Sequence, residues 1–429
     1  MVAMRIRTFL PILLSSAFLV VAPLTGCAVD ATDEGSASED ITSNAAQIVD
    51  FTLDGTVTGA KDIDARQIVV SQLFYTVGPL TTQFQANGHV GQVELSRVTE
   101  TVQGNKKTIK YHAKLPVAWP AGVTVPKTYD VVLPADATGL DAFNAKYDGT
   151  CGKNEYGQET FWHDFNPTTA GCKLAAADAI HAKAKVTKDP SVTTGKFPEY
   201  DQVWSDGAFN VVAIFGESSG GATGDEGAAQ FEQFVRGVTD AVPGATARPN
   251  PTTASFVKDI TVTGSVRVAG ISKPVTVTAL LIDTLYTAGA DFDTRYNPLS
   301  EKADFVVYNG HSELSKNTNA LARKGTVAKG KYQVFFFDSC DTFAYLDTAL
   351  TQRRIDVNGT AMDPRGTRYL EVLTNVLPSY FSNYSSSSIT VLKALMTPDA
   401  PKTYNQILQD LPSDQVVVVT GEEDNTFHQ

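Results

Sequence analysis

Between residues 205 and 429 the chain carries unbroken apolar runs: VVAIF (211–215), FVVY (305–308), VFFF (334–337) and VVVV (416–419). Such runs leave no face for water, so each must lie in a sheet covered on both sides. Segments of helical character separate them. GAAQFEQFVRGVTDAV follows the first run, TNALARKG the second and AYLDTALTQRR the third, and a further strand, YLEVLTNVLP, is followed by the helical SSSSITVLKALM before the last. Strands alternating with helices predict an α/β/α sandwich with a mostly parallel sheet over 205–429. The stretch DITVTGSVRVAGISKPVTVTALLID (259–283) alternates instead. It reads as a strand and hairpin that extend the sheet or cover one edge.

The first half has a different period. From about 48 to 135 the segments GTVTG, RQIVVSQLFYTVG, GHVGQVELSRV, KKTIKYHAKLPVAW and KTYDVVLPA alternate apolar with polar residues, which predicts an N-terminal antiparallel β domain. Cys151 and Cys172 flank a loop of Gly, Asn, Pro and aromatics without a helical or strand period. The simplest use of the two thiols is a disulfide worth about 3 kcal/mol. A metal site using His163 and Asp164 is the poorer alternative, because the loop has no CxxC pair and no second histidine. LAAADAIHAKAKV (174–186) reads as a helix, and KDPSVTTGKFPEYD (188–201) as a linker. The β-rich domain is therefore expected over 48–190.

At the N-terminus, Arg5 and Arg7 precede an apolar run from Phe9 to Val21, the layout of an export signal over 1–26. The run ends in Leu24-Thr25-Gly26-Cys27, which resembles a bacterial lipobox. That resemblance implies cleavage before Cys27 and acylation of its thiol, and Ala28 after it implies the outer membrane. Residues 27–47 are small, polar and acidic, and read as a flexible tether.

Composition excludes one partner class. A net charge of −12 without an arginine-rich run argues against nucleic acid. The Gly-rich loop ESSGGATGDEG (217–227) lacks the GK[ST] ending of a phosphate loop and carries three carboxylates, so nucleotide binding is not expected. The acidic EEDN (422–425) lacks the spacing of a calcium loop, and His89, His112 and His181 stand singly.

The remaining chemistry lies at two strand ends. His311 follows FVVYNG, and Cys340 follows VFFFDS, 29 residues later, which leaves room for one helix and one strand. If the strands are neighbours, both side chains emerge on one rim. A histidine beside a cysteine is the minimal equipment of a thiol nucleophile, and the backbone N–H of Gly310 or Cys340 offers part of an oxyanion hole.

Over residues 205–429 this arrangement resembles the caspase, legumain and gingipain group of cysteine peptidases, the gingipain-like branch above all, with YNGHSE matching the histidine turn and FFFDSC the cysteine strand. The resemblance implies His311 as general base, Cys340 as nucleophile, a peptide or protein substrate and no cofactor. Ser312 stands where the group has glycine. Asp338 and Asp341 flank the cysteine: they raise a thiol's pKa, or one of them lines a pocket for a basic side chain. A cysteine endopeptidase and a catalytically silent lipoprotein, whose β domain binds a partner or glycan, both remain open.

Overall fold

The computed structural model describes residues 41–42, 45–189, 194–422 and 425–427. The expected export signal, the lipobox-like stretch with Cys27 and most of the expected tether lie outside these residues. The described chain is a mixed α/β structure with two sheets. Seven strands lie in the first half: β1 (Ile41–Thr42), β2 (Ala46–Ala60), β3 (Asn87–Gly88), β4 (Glu94–Gln103), β5 (Lys106–Pro120), β6 (Thr128–Pro134) and β7 (Ala179–Lys188). Eight follow: β8 (Phe209–Gly216), β9 (Thr246–Pro249), β10 (Lys258–Val268), β11 (Ile271–Ile282), β12 (Phe305–Asn309), β13 (Gln333–Asp338), β14 (Leu370–Asn375) and β15 (Val417–Gly421).

The smaller sheet is antiparallel and runs β3-β5-β2-β7-β6, with β4 pairing to β5. Alternation builds it: Ile109, Tyr111, Ala113, Leu115 and Val117 of β5 are buried in one core, while Lys106, Thr108 and Lys110 are exposed. Two expectations fail here. Segment 66–78 is not a strand but falls within two short helices, Ala65–Leu73 and Val77–Phe84, joined by a 3₁₀ turn. Asp64 caps the first by accepting the amide hydrogens of Arg66 and Gln67, and Ile68, Val69, Gln72 and Leu73 form a buried helical stripe. Conversely, 174–186 is not a helix. Its alanines alternate with His181, Lys183 and Lys185, so Ala182, Ala184 and Val186 point inward from β7, which pairs with both β2 and β6.

The larger sheet has nine strands in the order β1-β15-β14-β13-β12-β8-β11-β10-β9. It is mixed rather than mostly parallel. The five central strands, β14 to β11, are parallel, and antiparallel strands flank them on both sides. The hairpin 259–283 does extend the sheet, and its apolar end, Ala279–Ile282, is buried beside β8. The tether's expected extent is also too long, since Ile41–Thr42 lies along Val418–Val419. Nor is 188–201 merely a linker: within it Lys196 is buried against Glu371.

Both faces of this sheet are covered, as the unbroken runs require. Phe305, Val307, Val334 and Phe336 pack on one side with helices Glu226–Ala241, Tyr384–Leu395 and Tyr404–Gln409. Val306, Tyr308, Phe335 and Phe337 pack on the other with Ala290–Ser300, Lys316–Arg323 and Ala349–Asn358. Chain order reverses between β8 and β12, and in open α/β sheets ligands bind beyond the carboxyl ends of strands at such a point.

Candidate functional site

The register of β12 against β13 pairs Asn309 with Asp338. His311 and Cys340 each lie two residues beyond that pair, so the two turns leave the rim of the sheet at the same level. Both residues line one cleft of about 320 Å³. Its floor and walls also include Ser312, Glu313, Leu314, Asp341 and Pro378.

The histidine turn is held tightly. The carbonyl of Gly310 accepts hydrogen bonds from Ser339 Oγ and Tyr384 Oη, and the carbonyl of His311 accepts from Tyr308 Oη at 2.8 Å and Asn317 Nδ2 at 2.9 Å. Gly310 is needed for contact rather than for torsion: a Cβ there would sit 2.9 Å from Tyr308 Oη and 3.2 Å from Gly216 Cα. His311 Nε2 lies 3.2 Å from the carbonyl oxygen of Ser218, just past β8. A carbonyl only accepts, so this contact assigns the hydrogen to Nε2 and leaves Nδ1 as the basic nitrogen of the neutral ring. Phe381 meets the ring edge to face at 4.9 Å.

Backbone strain is concentrated here. Seven non-glycine residues among those described have positive φ, and four of them are Glu313 (49°), Leu314 (48°), Ser315 (90°) and Asp341 (53°). Left-handed backbone costs an L-residue roughly 1–2 kcal/mol. Three such residues in succession after His311 and one immediately after Cys340 mark this rim as a place where packing overrules local preference.

Cys340 is partly buried, and its thiol donates to the carbonyl of Ser379 at 3.4 Å. Burial pushes its pKa up to about 11; Asp341 and Asp338 add to the rise, and nearby backbone hydrogen bonds offset only part of it. The two carboxylates differ in position. Of the two candidates for a pocket wall, Asp338 does not line the cleft. It is fully buried, and one of its oxygens accepts from Asn375, Ser379 and Gln415. Asp341 does line the cleft, where Asn87 Nδ2 donates to it at 3.2 Å.

The other wall comes from the β half. Cys151 and Cys172 are bridged, with Cα atoms 4.8 Å apart, and the loop they close presents Tyr156, Thr160 and His163 to the cleft. Sequence reasoning considered His163 only as a weak metal ligand; a separation of 177 residues from Cys340 carries no one-dimensional signal. Its Nδ1 lies 3.1 Å from Asp164 and its Nε2 3.8 Å from Asp341. Burial alone would lower its pKa, but the two carboxylates outweigh burial and lift it to about 9. Burial pushes the Asp341 carboxyl up as well, and the contacts from His163 and Asn87 offset part of that rise by favouring its charged form.

Among the described residues no three His, Cys, Asp or Glu side chains are grouped to hold a metal ion, and no helix is long and apolar enough to cross a membrane. No protein-family model matches the chain, and no curated protein matches it in sequence.

Proposed function

We propose that the chain is a cell-envelope lipoprotein with a caspase-like α/β unit that hydrolyses peptide bonds through His311 and Cys340. The observation that carries this reading is the placement of both residues on one rim, two positions past a paired point on adjacent parallel strands, in one cleft. The resting thiol is neutral, so the reaction uses general-base attack rather than a preformed ion pair. Cys340 Sγ attacks the scissile carbonyl as His311 takes the thiol proton. The C–N bond then breaks, and the departing amine receives that proton. Water, deprotonated by His311, attacks the resulting thioester, which releases the acid and restores the thiol. A thiol pKa about four units above neutrality leaves roughly one part in 10⁴ as thiolate, so turnover is expected to rise steeply toward alkaline pH.

The same elevated pKa favours a second reading, in which the α/β unit is a catalytically silent scaffold and the β half binds a partner or glycan. Peptide cleavage separates the two. Cleavage of Arg- or Lys-containing peptides at pH 8–9, abolished in Cys340→Ala and lowered at least 100-fold in His311→Ala, supports the enzyme. No cleavage by the folded wild type across that range supports the scaffold. Attachment through Cys27, at the outer membrane, rests on the sequence alone; palmitate labelling that persists in Cys27→Ala would refute it.

A further inference from the structure

We infer that His163, carried to the cleft by the Cys151–Cys172 loop, is a positioning residue that offsets the charge of Asp341 and so governs how readily Cys340 ionises. The inference rests on the reading of Cys340 as the reactive thiol, and deepens it. Three facts of geometry carry it. His163 lines the same cleft as Cys340, although the two residues come from different sheets. Its two ring nitrogens face carboxylates, Asp164 at 3.1 Å and Asp341 at 3.8 Å, so the ring is held as an imidazolium. Asp341 is the residue after Cys340 and is nearly fully buried, where a charge acts at short range with little screening by water.

The surroundings leave His163 as the cation placed for this task. Tyr156 and Trp162 meet its ring edge-on, each with centroids 5.9 Å away, and neither brings a cation. On the opposite wall Lys316 lies 3.8 Å from Glu159, and Glu313 adds a further carboxylate to the cleft. Asn87, from the β half, donates to the other oxygen of Asp341 and brings no charge. Tyr345 lines the cleft from a buried position, and burial pushes its pKa far up, so it too stays neutral. His311 contacts Ser218 and Phe381 rather than Asp341.

With the imidazolium in place, Asp341 is counterbalanced and the thiolate of Cys340 is opposed less. Without it, Asp341 acts alone and the thiolate is harder to form. Because His163 holds its proton up to about pH 9, the help it gives is present below that pH and fades above it. A residue that merely shaped the loop would change Cys340 reactivity by the same factor at every pH.

The test is the rate of Cys340 alkylation by iodoacetamide on the full chain between pH 6.5 and 10.5, with the disulfide intact. Wild type is expected to react roughly 3- to 10-fold faster than His163→Gln below pH 8 and at nearly the same rate above pH 10. His163→Lys, which keeps a positive charge, should hold the wild-type rate and extend the advantage beyond pH 9. Asp341→Asn should accelerate labelling, the opposite sign to His163→Gln. A wild-type to His163→Gln ratio that is constant with pH, or at or below one, overturns the inference. Alkylation is read without any substrate, so a silent site with the expected His163 profile is distinguishable from an active site without it.

Discussion

Asp338 and Asp341 stand three residues apart, yet one belongs to the interior of the nine-stranded sheet and the other to the seam between the two halves. Asp338 closes β13, and every group that meets it, Asn375, Ser379 and Gln415, comes from the α/β half. Asp341 is met by Asn87 and His163, both from the β half. The segment behind it extends the seam: His89 lies against Phe343 with centroids 4.4 Å apart, and Trp162 meets Tyr345 at 5.7 Å. The contrast teaches that the inner flank of Cys340 is fixed by the sheet itself, whereas the outer flank is set by a second structure whose loop is tied by a disulfide. Charge on the inner side is a matter of stability; charge on the outer side is adjustable.

The largest expected effect tests the inner flank. Burial pushes Asp338 up to about 7, with hydrogen bonds from Asn375, Ser379 and Gln415 opposing the rise only in part. All three donors meet Oδ1, and Oδ2 has no partner among the described residues, so the charged form is poorly satisfied. An acid whose folded pKa lies above its unfolded value contributes stability that is complete below about pH 4. That contribution is lost as pH rises through 7. At 1.36 kcal/mol per unit the loss is on the order of 4 kcal/mol. Asp338→Asn keeps the shape and removes the titration. Its urea unfolding free energy should fall less between pH 4 and 7.5 than that of wild type; parallel curves would show that Asp338 is charged throughout.

The same contrast explains what could be read in the sequence. VFFFD announced a strand covered on both faces, and the adjacency of β12 and β13 followed from their chain order, so the level placement of His311 and Cys340 was legible. The inner role of Asp338 was not, because the residues that meet it, at 375, 379 and 415, are distant in sequence. In the β half, local preference misled. Alanines made β7 resemble a helix, although its lysines kept a period of two. IVVSQL in turn resembled a strand, although Asp64 before it is a helix cap. His163 was the most distant of all, since its place depends on two sheets meeting.

The second prediction addresses the outer flank. Cys151 is fully buried in the β core and Cys172 packs against it, so replacing both by serine removes the cross-link of a 21-residue loop and places a hydroxyl in an apolar site. The expected loss is about 3 kcal/mol, measured as a lower urea midpoint. Because the loop carries the cleft wall, Cys340 in this variant should lose the pH-dependent advantage assigned to His163 while Asp338 keeps its own pH dependence. Loss of both together would mean that the flanks are not separate.

The smallest effect concerns the ion pair that spans the seam at the mouth of the cleft. Lys316 and Glu159 approach to 3.8 Å, but their side chains are 51% and 65% exposed. At that exposure water and salt screen most of the attraction, and holding two long side chains in register costs side-chain entropy. Lys316 also lies 5.9 Å from the Tyr286 ring, an exposed contact of similarly small value. Lys316→Ala should therefore change the unfolding free energy by less than about 0.5 kcal/mol, with the difference vanishing at high salt. A loss above roughly 1 kcal/mol that persists in high salt would show that the halves are joined electrostatically. The packing argues otherwise: the seam is held where His89 covers Phe343, where Trp162 meets Tyr345 and where Asn87 reaches Asp341, all of them shielded from solvent better than this pair.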